Sequence, residues 1–255
     1  MRVEQDGKVL TITNDAPPFN VMSLEYIDEI EALLKDVKDD DSVRALVFTA
    51  DGDDNFSAGM DLKQLFTESA ARGGTEAVLD QRRRVLGEIE NLGKPSVATL
   101  FGYCLGGGLE LPLACTFRLA ASDNAKIGLP EVDLGTVPAW GGSARLTRCV
   151  GPTFALEMML RGMKVDARHA YRIGLVSEIH PMADLKARAH ELAQQLADGP
   201  QLAMAGVMRT VMVAMEGTLD EALDAEREAV NACSGTADQA EGGAAFLQKR
   251  TPVFE

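Results

Sequence analysis

Phe101–Glu110, FGYCLGGGLE, follows the apolar, β-favouring run Ser96–Phe101 (SVATLF) and opens into a helix-compatible segment carrying a carboxylate at Glu110. Three consecutive glycines suit a buried element poorly, because glycine loses more backbone entropy on folding than any other residue. They suit a place where the backbone must approach something closely. If Gly107 and Gly108 begin a helix, their N–H groups have no partner within it and are free to meet an anion or a developing oxyanion. The same wording also fits a glycine-softened strand-to-helix turn with a surface glutamate.

Working outward from this stretch, strands and helices alternate. Val3–Thr13 reads as a strand pair turned at Asp6-Gly7. Ile27, Ile30, Leu34 and Val37 recur at helical spacing, so residues 23–38 form a helix with one apolar face. Val43–Thr49 has the β-branched, apolar character of a buried strand. Residues 67–80 are small, polar and weakly periodic, and they read as a mobile loop. A helix follows over residues 81–91 and stops at Gly93-Lys94-Pro95. Thr116–Ala121 and Leu175–His180 are further strands, and a new helix begins at Gly151-Pro152. Asp166 and Gly174 bracket another helix. From about Met182 onward the pattern is helical only, with capping-box wording at Thr218-x-x-Glu221 and Thr236-x-x-Gln239. The order favours an α/β core with a helical appendage.

The chain has 255 residues and a formal net charge of −14. That charge opposes binding to a nucleic-acid backbone or an anionic membrane, so an anionic ligand would need local basic residues or backbone donors. No signal-peptide pattern or membrane-length apolar run stands out, and a cytoplasmic protein is expected. The four cysteines and three histidines lack metal-ligand spacing, so no metal site is expected. There is also no dinucleotide or P-loop glycine pattern.

Two glycine turns follow apolar strands, SAGMD (Ser57–Asp61) and CLGGG (Cys104–Gly108). Each can aim a backbone N–H at a common point, the minimum equipment for a thioester or ester oxyanion hole. Glu110 lies within one helical turn of Gly107. Glu131 follows Leu129-Pro130, where apolar neighbours would favour its protonated form. A solvated surface role is the plainer reading of either glutamate alone.

SAGMDL, GYCLGGGLEL, GLPEVDLGTVPAWGG and RLTRCVGP, in this order, resemble the crotonase superfamily, specifically enoyl-CoA hydratases. The resemblance spans nearly the whole chain. It implies an α/β fold: a crotonase-like spiral of ββα units over residues 1–195, then a C-terminal helical trimerisation region over 196–255 that completes the CoA site. It implies hydration of a 2-enoyl-CoA to a 3-hydroxyacyl-CoA in a homotrimer or homohexamer. Coenzyme A is then part of the substrate, with no separate cofactor. It assigns the oxyanion-hole amides to Ala58 and Gly107, the catalytic acid and base to Glu131 and Glu110, and CoA contacts to Ala58, Gly59, Met60 and Asp61.

Having both glutamates, with Ala139 where related isomerases carry an aspartate, points within the superfamily to hydratase. Double-bond isomerisation and CoA-thioester hydrolysis are the alternatives, and a non-catalytic RNA-binding relative is a third. Trp140, the single tryptophan, stands beside the expected acyl site, either filling core or reshaping the acyl pocket. Pro112 falls just inside the helix carrying Glu110 and constrains its start. Lys63, Lys94, Lys249 and Arg250 are the basic candidates for the CoA phosphates; the resemblance favours Lys249, reaching toward a neighbouring subunit.

Overall fold

The computed structural model describes residues 1–254. Strands β1 (Arg2–Asp6) and β2 (Val9–Asn14) pair antiparallel about the Asp6-Gly7 turn. Helix α1 (Leu24–Lys38) starts where the Ser23 hydroxyl accepts the Tyr26 N–H at 3.0 Å, and it buries the Ile27, Ile30, Leu34 and Val37 stripe. Every residue of β3 (Ala45–Ala50) is buried, as a strand covered on both faces requires.

Residues 67–80 depart from the expected mobile loop. Helix α2 (Leu62–Glu68), a 3₁₀ turn (Ser69–Arg72) and the first part of α3 (Thr75–Glu90) occupy them. Of these residues only Ser69 and Val78 are buried, and Gly73 and Gly74 interrupt the run, so the short helical pieces carry too little apolar surface to show a period. Further along α3, Arg82 takes a buried position on the face shared by Val78, Val85, Leu86 and Ile89. Arg72 pairs with Glu25 and Asp28 and so ties this segment to α1.

Strands β4 (Ser96–Leu100) and β5 (Tyr103–Leu105) lead into the short helix α4 (Gly107–Leu113). Pro112 sits near the end of α4, which stops one residue later. Next come β6 (Phe117–Ala121), β7 (Lys126–Gly128) and a 3₁₀ turn at Glu131–Leu134. Helix α5 (Gly142–Leu160) breaks at Gly151 (φ 77°, ψ 162°), so the helix expected at Gly151-Pro152 is its second half. Asp166 caps α6 (Ala167–Arg172), which precedes β8 (Glu178–His180). Four helices close the chain: α7 (Met182–Ala197), α8 (Gln201–Glu216), α9 (Leu219–Cys233) and α10 (Ala237–Gln248). The Thr218–Glu221 capping box closes in both directions. At Thr236 only one half forms, because the Gln239 amide oxygen accepts the Gly235 N–H instead.

The main sheet has the order β1-β2-β3-β4-β6-β8, parallel except for the β1–β2 hairpin, and β5 and β7 form a second parallel pair. Helix α7 lies on the main sheet through Leu185, Ala189, Ala193 and Ala197, all with no exposed surface. Helix α8 packs on α9, buries no residue fully, and leaves Leu202, Val207 and Val211 exposed. Among the described residues no helix is long and apolar enough to cross a membrane.

This topology gathers the loops after β2, β3 and β4 at the carboxyl ends of parallel strands, where open α/β sheets hold ligands. Three asparagines knit those loops together. Asn14 Nδ2 donates to the Asn20 carbonyl at 2.6 Å, Asn20 Nδ2 to the Asn55 carbonyl at 2.6 Å, and Asn55 Oδ1 accepts the Tyr103 N–H at 2.9 Å.

Candidate active site

The SAGMD and CLGGG turns meet side by side. The Leu105 N–H donates to the Ser57 carbonyl at 3.1 Å, and the Ser57 N–H to the Tyr103 carbonyl at 2.8 Å. The contact is possible because both turns present glycine. A Cβ on Gly108 would lie 2.4 Å from the Ser57 oxygen, and one on Gly59 (φ 103°) would lie 2.8 Å from the Leu105 oxygen and 3.5 Å from the Gly107 nitrogen.

Accounting for each amide in the first turn shows which is free. Ser57 N–H is taken, Ala58 N–H donates to the Phe19 carbonyl at 2.9 Å, and Gly59 N–H donates to Ser57 Oγ at 3.1 Å. Asp61 N–H donates to the Met22 carbonyl at 3.1 Å. Only the Met60 N–H has no acceptor among the described residues. The Ala58 amide, expected as the donor, is thus consumed by the Phe19 carbonyl, and the open amide of this turn is that of Met60: the parallel bridge between Met22 and Met60 turns alternate amides to opposite sides. In the second turn Gly106 N–H donates to the Gly128 carbonyl at 3.1 Å, whereas Gly107 and Gly108 N–H groups stay open at the start of α4. Asp61, expected at the CoA, serves as the N-cap of α2, its Oδ1 accepting the Gln64 N–H at 2.9 Å.

Glu110 is 2% exposed. Its Oε1 accepts the N–H groups of Trp140 at 2.7 Å and Gly142 at 2.8 Å, while Oε2 has no hydrogen bond among the described residues. The amides favour the carboxylate, but burial outweighs them, helped by the negative charge of Glu131, and the pKa rises to about 7. Glu131 is half-buried; desolvation raises its pKa too, and its buried Oε2 has no partner. Its Oε1 lies 3.1 Å from where a Gly106 Cβ would stand, immediately before the open Gly107 amide.

The loop at 139–142 is clamped to α3 and α4. Arg83 Nε donates to the Ala139 carbonyl at 2.9 Å, and Arg145 Nη1 to the Trp140 carbonyl at 3.0 Å while pairing with Glu90 at 2.8 Å. Trp140 is 2% exposed, and its six-membered ring presses on Gly107. On the other side the Arg82 guanidinium lies 5.3 Å from an indole ring centroid.

The arrangement combines the open amides of Met60, Gly107 and Gly108 with two acids of raised pKa, each with an oxygen that has no hydrogen bond among the described residues. Such a site can hold an oxyanion and exchange a proton with the neighbouring atoms. The chain matches the family model for enoyl-CoA hydratase/isomerase over residues 4–255. It belongs to that family. A crotonyl-CoA hydratase of Syntrophomonas wolfei is 35% identical over 99% of this chain and 96% of its own length. A carnitinyl-CoA dehydratase of Shigella flexneri is also 35% identical, over 100% and 98%. Among solved structures, an enoyl-CoA hydratase from Bacillus anthracis superposes with a TM-score of 0.90 at 30% identity, covering 99% of this chain and 98% of that one. The α/β architecture with its helical C-terminal region is thus that of the enoyl-CoA hydratase/isomerase family, and equal similarity to relatives named for different acyl groups leaves the acyl group open.

Of the four basic residues considered for the CoA phosphates, two are committed. Lys94 Nζ donates to the Val37 and Asp40 carbonyls, both at 2.6 Å, at the C-terminal end of α1. Arg250 pairs with Glu241. Lys249, the exposed residue ending α10 in a left-handed conformation (φ 54°), and Lys63 remain as candidates. Sequence reasoning did not single out the open Met60 amide, Gly142 as a backbone holder of Glu110, Gly106 beside Glu131, or the buried cation Arg82 against Trp140. For Arg82 alone a signal existed, a charge in the i, i+4, i+7 series of Val78 and Val85.

Proposed function

We propose that the chain adds water, syn, across the double bond of a 2-enoyl-CoA to give a 3-hydroxyacyl-CoA. The observation that carries this reading is the pairing of Glu110 and Glu131, both raised in pKa by burial, around the open Gly107 amide. The Met60 and Gly107 N–H groups hold the thioester oxygen as negative charge builds on it in the enolate. Glu110, anchored through Oε1, uses Oε2 to take a proton from the attacking water. Glu131 gives its proton to C2, and the pair exchanges roles in the reverse direction. Two acids that disfavour each other's ionisation can share one proton near neutral pH, which is the state the addition needs. Adding water leaves the substrate at the same overall oxidation level, so the reaction itself calls for no redox cofactor; coenzyme A arrives with the substrate.

The exposed apolar residues of the closing helices, among them Val207, Val211, Leu223, Phe246 and Leu247, support assembly into a homotrimer or homohexamer through residues 196–255. In that assembly Lys249 would serve a neighbour's CoA phosphates. Loss of the conjugated enoyl-thioester absorbance with crotonyl-CoA tests the activity, and light scattering tests the assembly.

A further inference from the structure

Trp140 makes two contacts of the candidate site at once. Its N–H donates to Glu110 Oε1 at 2.7 Å, and its six-membered ring presses on Gly107, whose amide is open. Whatever holds the indole therefore bears on a carboxylate and an oxyanion donor together. Helix α3 already holds the backbone of this loop. Arg83 donates to the Ala139 carbonyl, and Glu90 pairs with Arg145, which donates to the Trp140 carbonyl. Arg82, the residue before Arg83, meets the indole itself, its guanidinium 5.3 Å from a ring centroid.

That contact accounts for a side chain that ion pairing does not. Arg82 has no exposed surface, and its one hydrogen bond runs from Nη1 to the Val78 carbonyl at 3.0 Å, one turn back on its own helix. Asp28 is no partner for it, having given one oxygen to Arg72 and the other to Gln81. Burial without a carboxylate pulls the guanidinium down to about 10. A buried cation is kept at a penalty unless something compensates it. The indole face can do so: a guanidinium is planar and weakly hydrated, it stacks on aromatic rings within about 6 Å, and the attraction grows where water is excluded. A lysine ammonium, compact and strongly hydrated, suits that place less well.

We propose that Arg82 is a positioning residue: stacked on Trp140, it keeps the indole against Gly107 and so aims the Gly107 amide and the Glu110 carboxylate at the reacting atoms. The inference rests on the hydratase reading for its effect on rate, but the hold on the indole is measurable without turnover. Trp140 is the single tryptophan, so tryptophan fluorescence reports this one ring. The test measures indole emission, acrylamide quenching and crotonyl-CoA hydration in wild type, Arg82→Met and Arg82→Lys, and repeats the kinetics of both substitutions in a Trp140→Leu background. In Arg82→Met the indole signal is expected to move and kcat to fall about 10- to 100-fold, with KM within about twofold of wild type. Arg82→Lys, which restores the charge without the planar face, should lie between. In the Trp140→Leu background neither substitution should lower kcat further. A folded Arg82→Met with wild-type kcat, or with an unmoved indole signal, overturns the proposal even if it unfolds at a lower temperature. Equal fold-losses in the two backgrounds overturn it as well, because Arg82 would then act without Trp140. Should Arg82→Met not fold, Arg82→Lys decides by the same criteria. Wild-type protein that hydrates nothing, with an indole signal that moves in Arg82→Met, removes the hydratase reading and leaves the hold on Trp140 standing. Hydration at the wild-type rate by Arg82→Met, with an unmoved signal, does the reverse.

Discussion

The Trp140 ring lies so close to Gly107 that a Cβ on Gly107 would stand 2.5 Å from both Cη2 and Cζ3 of the indole. On the proposed function, this one contact holds both the Gly107 oxyanion donor and a residue of the acyl side. Gly107→Ala must displace the indole or the amide, and hydration should fall about 10²–10³-fold, as when one oxyanion donor is lost. Trp140→Leu leaves room for that methyl group, so the double variant should recover part of the loss. A double-mutant cycle in kcat/KM checks this; strict additivity would mean that the two residues do not act through one another.

Gly142 has a similar relation to Glu110. A Cβ there would lie 2.7 Å from Glu110 Cγ and 2.8 Å from Oε1. Gly142→Ala should push the carboxyl from its two amides and lower kcat by about tenfold or more, with little change in KM, because Gly142 is not among the residues proposed to contact CoA. Steady-state kinetics distinguish this from a binding defect, in which KM would rise alone.

The amide accounting that replaces Ala58 by Met60 can be tested atom by atom. An amide-to-ester replacement that deletes the Met60 N–H should slow hydration about 10²–10³-fold and leave folding nearly unchanged. Deleting the Ala58 N–H removes its bond to the Phe19 carbonyl, a loss of about 0.5–1.5 kcal/mol of stability with a smaller effect on rate. Thermal unfolding and kinetics on the two semisynthetic proteins give opposite rankings if the assignment is correct.

Glu110 also makes stability depend on pH. Its folded pKa, raised to about 7, exceeds the unfolded value, so the folded state binds the extra proton and stability is lost as pH rises between about 4.5 and 7. The full difference is about 3 kcal/mol. Glu110→Gln keeps an oxygen for the Trp140 and Gly142 amides and removes the charge. It should therefore unfold at a higher temperature than wild type at pH 8 and at a similar one at pH 4.5, while losing activity.

Much of the fold was legible in the sequence because it depends on local signals. The helix over 23–38 forms from its apolar stripe, Asp166 caps its helix where the sequence says, the Asp6-Gly7 turn makes its hairpin, and β3 reads as a buried strand from its apolar run. The stretch at 67–80 was misread because only Ser69 and Val78 in it are buried and the Gly73-Gly74 pair divides it, so its short helical pieces show no hydrophobic period. At the site, Glu110, Glu131 and Gly107 stood out as candidates by their glycine and proline neighbours and took their roles from the family resemblance, but which of the Ala58 and Met60 amides stays open could be read from neither. That choice depends on which amides the Phe19 and Met22 carbonyls consume, and those carbonyls come from a loop some 40 residues earlier in the chain. Long-range hydrogen bonding of this kind leaves no mark on local composition.

The most direct measurement of the central claim is the rate at which wild-type protein, Glu110→Gln and Glu131→Gln remove the conjugated absorbance of crotonyl-CoA, with CoA-thioester binding measured alongside. Wild type should hydrate it, and each variant should be slower by about 10²–10⁴-fold with binding retained. A wild-type protein that binds crotonyl-CoA and does not hydrate it, or a glutamine variant as fast as wild type, would contradict the account.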